Sequence, residues 1–354
     1  MPKRKLWPVT FRPKRGEVLY SWIARIGAVY GVSPRDLLPG AVNIYYPSAL
    51  VQSGDRSVLS ALAQSTGVPV KALAKRTLAG ASWRWPQEWW AGGNLPSPQL
   101  CPMCLAADIR SGDRVPFLRL QWQCAAMTIC PKHRAPLFEA CPHCRRINWP
   151  ICEATGLGRF RFLCGECGSP QEQGAWPEHP TSEAALRLLL AFEAQLLRAL
   201  QGRSIQWSWI GATPTEFLLL VTDLLWAITR PTDSSTPIIC NLQTRSFPLG
   251  HRSLPFREPT QWGVASANVR RCVLAAVLAA FGNSRVRSLL QTCPERSGWD
   301  KLLSCLSTDN IADLQRRSWR WPPAAHNSLR RAAQPYLAHR RGRALSHDIG
   351  KIRF

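Results

Sequence analysis

Cys101-Pro-Met-Cys104, Cys130-Pro-Lys-His133, Cys141-Pro-His-Cys144 and Cys164-Gly-Glu-Cys167 are the stretches on which the reading of this chain turns. Each sets two metal-type donors two residues apart, the spacing at which one tight turn offers a pair of ligands to a tetrahedral ion. The eight donors fall in a 67-residue window and make two sets of four. Only seven residues, 134–140, separate the second pair from the third, which favours sites in tandem over an interleaved cross-brace. The sequential sites are Cys101, Cys104, Cys130 and His133, then Cys141, Cys144, Cys164 and Cys167. In the second, 19 residues lie between the pairs, within the range of zinc ribbons; in the first, 25 do. Four protein donors per ion leave no open position, so the pattern predicts two structural zinc ions per chain and no catalytic metal. Proline after Cys101, Cys130 and Cys141 helps fix the turns. Cys124, Cys152 and His143 lie close by and read as packing or surface residues. The segment has little apolar periodicity, so coordination is expected to supply much of its order.

The rest of the composition says what surrounds this centre. With 354 residues, 45% of them hydrophobic, the chain should fold as two or three domains. A formal charge of +23 points to a polyanionic partner, with nucleic acid foremost. Of the 45 basic residues 37 are arginine, which suits bidentate phosphate contacts and also fits a GC-rich genome. No apolar stretch follows the basic start, and no run of about 18 apolar residues is present, so a soluble protein of the bacterial cytoplasm is expected. In that reducing compartment thirteen cysteines mean metal before disulfides.

Charge gathers at the two ends. Residues 1–35 carry eight basic side chains against Glu17 alone, and residues 316–354 carry ten against Asp348 alone. Arg12, Lys14, Arg15 and Arg35 at one end, and Arg316, Arg317, Arg330, Arg331, Arg340, Arg341 and Arg343 at the other, are the candidate nucleic-acid contacts.

Helical signals flank the cysteines. Residues 17–30 place Val18, Leu19, Trp22, Ile23 and Ile26 on one face, Gly31 stops that helix, and Ser33-Pro34-Arg35-Asp36 reads as the start of a second, short one. The grammar recurs as a helix over 57–65, a turn at Thr66-Gly67-Val68-Pro69 and a helix over 70–78. Both are helix-turn-helix patterns, although any compact helical hairpin needs the same residues. Further helices are expected over 183–201, from the capping box Thr213-Pro214-Thr215-Glu216 to Thr229, over 268–281 and over 328–337. The pentapeptide Ser-Trp-Arg-Trp-Pro occurs at 82–86 and again at 318–322, suited either to packing or to gripping a partner. The predicted fold is mainly α. An N-terminal helix-turn-helix domain (1–98) precedes a tandem zinc-binding domain with short β-hairpins (99–178). Then follow a helical region (179–230), a linker or irregular segment (231–268) and a basic C-terminal helical domain (269–354).

Taken in order, these residues resemble the TniQ family, the target-selection proteins of heteromeric transposons, to which the longer TnsD proteins are related. The likeness runs over roughly residues 8 to 200. It lies in Pro13-x-x-Gly16-Glu17-x-Leu19-x-Ser21-Trp22-x-x-Arg25, Leu62-Ala63-x-x-Thr66-Gly67 with Thr77-Leu78, and Cys101-Pro-x-Cys104-Leu105. It continues in Leu118-Arg119-Leu120-x-Trp122, Ile129-Cys130-Pro-Lys-His133-x-x-Pro136-Leu137 and Cys141-Pro-x-Cys144. The resemblance implies zinc at the eight donors, a helix-turn-helix over 17–38 and a non-catalytic adaptor. Such proteins mark the insertion site and recruit the transposon's AAA+ ATPase, which brings the transposase. Some read DNA themselves; others ride on a guide-RNA Cascade-like CRISPR effector, in certain systems as a homodimer. The C-terminal third matches no pattern of that family.

No phosphate-binding G-x-x-x-x-G-K-[ST] loop, no G-x-S-x-G elbow and no cluster of the 22 acidic residues supports an enzyme. The expected function is target-site selection in DNA transposition, linking a Cascade-like effector or the target DNA to the AAA+ ATPase. A direct, sequence-specific DNA binder of the TnsD type and a zinc-dependent transcription regulator are the alternatives.

Overall fold

Glu17 carries a charge into the interior and there organises the amino-terminal half. In the computed structural model the described residues are 6–38, 50, 55–80, 99–111, 115–156, 158–173, 182–206, 212–229, 265–282, 286, 298–304 and 306–349, with side chains to 338. The chain forms two compact units, Met1–His179 with Trp262–Ala267, and Pro180–Gln261 with Asn268–Phe354. Its described residues include two small two-stranded sheets and are otherwise largely helical.

In the first unit, α1 (Leu19–Tyr30) starts beside Glu17 and ends at Gly31, whose φ of 68° is the left-handed conformation glycine adopts without strain. The Glu17 carboxylate is fully buried and accepts hydrogen bonds from Arg25 Nε (2.8 Å), Arg25 Nη2 (2.6 Å), Ser21 Oγ (2.9 Å) and the Lys14 amide (2.8 Å). Neither partner of this pair can be lost cheaply, because the other would stay charged in the interior. Ser21 Oγ in turn accepts the Leu118 amide, Val18 N–H donates to Leu118 O (2.9 Å), and Leu120 N–H donates to Gly16 O (2.7 Å). Two motifs about a hundred residues apart in sequence, 13–25 and 118–122, are thus one interlocked structure. Arg25 also lies over the rings of Phe11 and Phe160, 4.6 and 5.6 Å from their centroids. It is one of the eight N-terminal cations, and its charge is spent internally.

After Gly31, residues 33–38 make two successive turns, Asp36 N–H to Ser33 O and Leu38 N–H to Arg35 O. Ser33 and Asp36 do form a reciprocal cap. Through Leu38 the expected short helix is a pair of turns, and residues 39–49 lie outside the described ones. The second unit of the pattern contains α2 (Arg56–Thr66), Gly67 with φ 73°, and α3 (Val70–Ala74), which stops short of Leu78 in turns. Asp55 caps α2 through the Ser57 amide (2.7 Å).

The metal-ligand region contributes α4 (Pro102–Arg110), a 3-10 turn (Leu120–Gln123), strands β1 (Ile129–Cys130) and β2 (Ala135–Pro136), and the hairpin β3 (Ile151–Gly156) with β4 (Arg159–Leu163). Phe160 and Phe162 alternate inward along β4, and β3 packs against α1. Tyr20 ties the two together, its hydroxyl donating to Pro150 O (3.1 Å) and its ring meeting Trp149 edge-on at 4.7 Å.

The second unit is helical in its described parts. It holds α5 (Glu183–Leu200), α6 (Pro214–Thr229), α7 (Ala267–Phe281, but for its first residue), α8 (Gly298–Leu303), α9 (Thr308–Ser318) and α10 (Pro323–Ile349). Ser182 caps α5 and the Thr213–Glu216 box caps α6, as their sequence patterns require. Phe192 and Phe217 meet edge to face where α5 packs on α6. The second Ser-Trp-Arg-Trp-Pro copy splits by position. Trp321 is buried, stacked at 6.1 Å on Trp299 and bonded through Nε1 to Asp223 (2.9 Å), whereas Trp319 is 74% exposed. The first copy, 82–86, and most of the segment 231–268 lie outside the described residues. Helices α8 and α9 are not among those expected from the sequence, although Trp299, Leu302 and Leu303 of α8 and Ile311 and Leu314 of α9 are buried at helical spacing. Among the described residues no helix is long and apolar enough to cross a membrane.

Candidate metal centres and basic surface

Three of the four ligand pairs sit on hairpins of one design. Cys130 pairs with Ala135 and Ile129 with Pro136 in β1–β2; Ala140 bridges Ile147 around the third pair, and Leu163 bridges Pro170 around the fourth. In each, the residue after the second donor returns its amide to the carbonyl of the first: Arg134 to Cys130 (2.7 Å), Arg145 to Cys141 (3.0 Å), Gly168 to Cys164 (3.0 Å). That residue lies in the left-handed region every time, φ being 51°, 61° and 69°. The Cys101–Cys104 pair is built differently. Cys101 is the N-cap of α4, Pro102 occupies the first turn where its missing N–H costs nothing, and Cys104 follows one turn on.

These turns bring the donors together as two separate groups, Cys101/Cys104/Cys130/His133 and Cys141/Cys144/Cys164/Cys167, all donor atoms within 4.8 Å of one another in each. In the first, Cys104 Sγ is 3.6 Å from Cys130 Sγ and 3.2 Å from His133 Nδ1; Cys101 Sγ is 3.5 Å from the same nitrogen. In the second, the Cys141–Cys167 and Cys144–Cys164 sulfurs are 3.7 Å apart. A tetrahedral ion with metal–sulfur bonds of about 2.3 Å needs sulfurs roughly 3.8 Å apart, so both groups fit one ion each. Crowding of the thiols shows in Cys101, whose ionisation is pushed far up by hydrogen bonds to Cys104 and Cys130 and by burial. A dication relieves that crowding, because it binds the thiolate forms.

The surroundings of the two groups differ. Around the first, Leu100, Leu105, Leu118, Trp122, Ile129 and Leu137 are buried. Asp108 on α4 holds Arg119 through both carboxylate oxygens (3.0 and 2.8 Å), and the guanidinium rests on Phe117 and Trp122. In the second, the His143 and Glu166 amides point at Cys141 and Cys164 sulfur (3.4 Å each), Asn148 Nδ2 donates to Cys164 (3.2 Å), and Cys167 is exposed. A hydrogen bond to Ser169 helps hold the Cys167 thiol down to about 6. Neither Cys124, Cys152 nor His143 belongs to a group; burial raises the Cys152 thiol to about 12, which makes it inert.

Residues 8–137 match the protein family TniQ. Over this span the chain is similar to TniQ proteins. The match takes in the interlocked 13–25 and 118–122 motifs and all four donors of the first group, and it ends before the second, short of the likeness to residue 200 that the sequence suggested. A TniQ domain implies a role connected with target selection in transposition. No curated protein matches the chain.

The basic candidates are spread over both units. Arg12, Lys14, Arg15 and Arg35 are exposed on the first. Lys14 and Arg15 border a shallow cavity of about 300 Å³ shared with Asp108, Val115, Phe117 and Arg119. On the second, Arg316, Arg330 and Arg331 are exposed. Arg317 is committed inward, paired with Asp313 (3.0 Å) and Asp223 (3.5 Å) and lying 4.2 Å over Trp226. The side chains of Arg340, Arg341 and Arg343 lie outside the described residues. The role of Arg119 in locking α4, and of Asn148 beside Cys164, was not legible in the sequence, since single polar residues at no fixed spacing carry no pattern.

Proposed function

We propose that this chain is a non-catalytic target-selection adaptor of DNA transposition, carrying two structural zinc ions and holding target DNA or a Cascade-like effector for an AAA+ ATPase. One observation carries the reading: the TniQ match coincides with a single interlocked body in which α1, the 118–122 segment and the first donor group share one core. When bound, zinc supplies the charge that lets four donors crowd together. The chain's own residues do the rest, Glu17 and Arg25 fixing α1 while Arg12, Lys14, Arg15, Arg35, Arg316, Arg330 and Arg331 meet phosphates electrostatically. Dimerisation and contact with the transposase through the ATPase belong to the same proposal.

A second reading has α2, Gly67 and α3 entering the major groove as a helix-turn-helix, and exposure of Lys71 on α3 and of Lys75 just past its end favours it. The test is affinity for duplex DNA of defined against scrambled sequence at two salt concentrations, with copurification of the ATPase as the second arm. Capture of the ATPase with a specificity ratio near one and a steep salt slope supports the adaptor. A specificity of about a thousandfold or more would replace it with the direct reader, and failure to capture the ATPase would remove the adaptor role.

A further inference from the structure

Among the described residues only two non-glycine residues have a positive φ, and both are arginines at the same place in a ligand hairpin. Arg134 follows His133 with φ 51°, and Arg145 follows Cys144 with φ 61°; the corresponding position of the fourth pair is Gly168. The left-handed conformation strains any L-residue with a Cβ, so the hairpin itself asks for glycine, and the third hairpin shows that glycine serves. A strained residue that persists points to a use for its side chain. Both arginines are exposed, and neither guanidinium has a hydrogen bond or ion pair among the described residues, whereas that of the adjacent Arg146 is paired with Glu166 at 3.0 Å.

We propose that Arg134 and Arg145 are phosphate contacts, presented to a nucleic-acid backbone by the rigid ends of the two ligand hairpins. The inference rests on the DNA-binding part of the proposed function and extends it to residues that no charge cluster singled out. Each hairpin fixes the arginine backbone through the return hydrogen bond to Cys130 or Cys141, so little main-chain freedom is lost on contact. A guanidinium held this way suits bidentate recognition of a phosphodiester.

The competing role is neutralisation of an anionic metal–thiolate cluster, and it predicts the opposite sign for stability. The test uses the full zinc-loaded chain and the double variant Arg134→Gly/Arg145→Gly. Its charge-matched control is Arg187→Gln/Arg203→Gln, exposed positions of the other unit. Zinc content, melting temperature and the salt dependence of affinity are read on a scrambled DNA duplex and on an RNA hairpin. The expected result is full zinc, a melting temperature unchanged or raised by roughly 2–4 °C per position, and a log–log salt slope shallower by about 1.8 than wild type. Loss confined to one polymer identifies the source of the phosphate. A lowered melting temperature with lost zinc would assign the arginines to the cluster and overturn the proposal. So would a slope no different from the control while wild type binds normally, an outcome that leaves the proposed function standing. If wild type binds neither polymer, the inference and the DNA-binding part of the function fall together.

Discussion

The first donor group keeps Cys101, Cys104 and Cys130 inside a leucine- and tryptophan-lined core, whereas the second leaves Cys167 at the surface, in the ligand hairpin that follows β4. One is assembled from a helix start and a hairpin, the other from two hairpins, and only the first lies within the TniQ match. Two closely related donor sets, three cysteines with a histidine and four cysteines, therefore do two jobs. The first group is a cornerstone of packing that apolar residues would partly hold without metal. The second has less to replace its ion, because Phe160 and Phe162 are the main inward side chains of its hairpin.

Breaking this comparison starts with the ligands themselves. Cys104→Ser should give the largest effect, since it releases the ion and leaves a hydroxyl in the common core of α1, α4 and the 118–122 segment; structural zinc is worth on the order of 10 kcal/mol in small domains. A large fall in the midpoint of the near-ultraviolet unfolding transition of the first unit is the expected readout. Cys164→Ser should be milder, lowering zinc from two to one per chain and exposing residues 141–173 to protease while α1 stays protected. A chelator should likewise remove zinc in two phases, the faster from the exposed group. A single phase, or global unfolding by Cys164→Ser, would show that the two groups are not independent.

Glu17→Gln comes next. It leaves Arg25 charged and half-partnered in the interior, an effect of about 3–5 kcal/mol in urea unfolding. Because Arg25 also rests on Phe160, the variant should loosen β3–β4 against α1 and speed zinc loss from the second group more than from the first. Equal acceleration at both would refute that coupling.

The difference between the groups also marks how far the sequence could be read. Both donor sets and their sequential pairing were legible because coordination fixes spacing locally. The capped helices were legible too, since Ser182, Thr213 and Glu216 act within one turn. What could not be read was non-local: the joining of 13–25 to 118–122 depends on two long-range backbone bonds and one from the Leu118 amide to Ser21 Oγ, beside a buried ion pair, which leave no periodic trace. Ser33–Leu38 shows the converse. Its cap is present, yet a cap raises the odds of a helix without supplying the packing that extends one. Arg317 fails as a surface cation for the same reason, Asp223 being 94 positions away in sequence.

The smallest effect should come from Asn148, which sharpens the comparison without breaking it. Its Nδ2 donates to Cys164 Sγ at 3.2 Å, a bond that lowers the sulfur's charge density and fixes its direction toward the other three donors. Outer partners of this kind typically tune metal affinity by about tenfold or more. Asn148→Ala should therefore weaken the second group's zinc by about tenfold in a competition titration and leave the first group's affinity and the urea midpoint unchanged. Burial shields the first group from such tuning, so the mirror experiment at its rim, Asp108→Asn, should do the reverse. It should lower stability by about 2 kcal/mol through the orphaned Arg119 while both zinc affinities hold. If Asp108→Asn instead released zinc selectively from the first group, that ion would depend on its outer shell as the second one does, and the contrast between a packed and a metal-dependent centre would collapse.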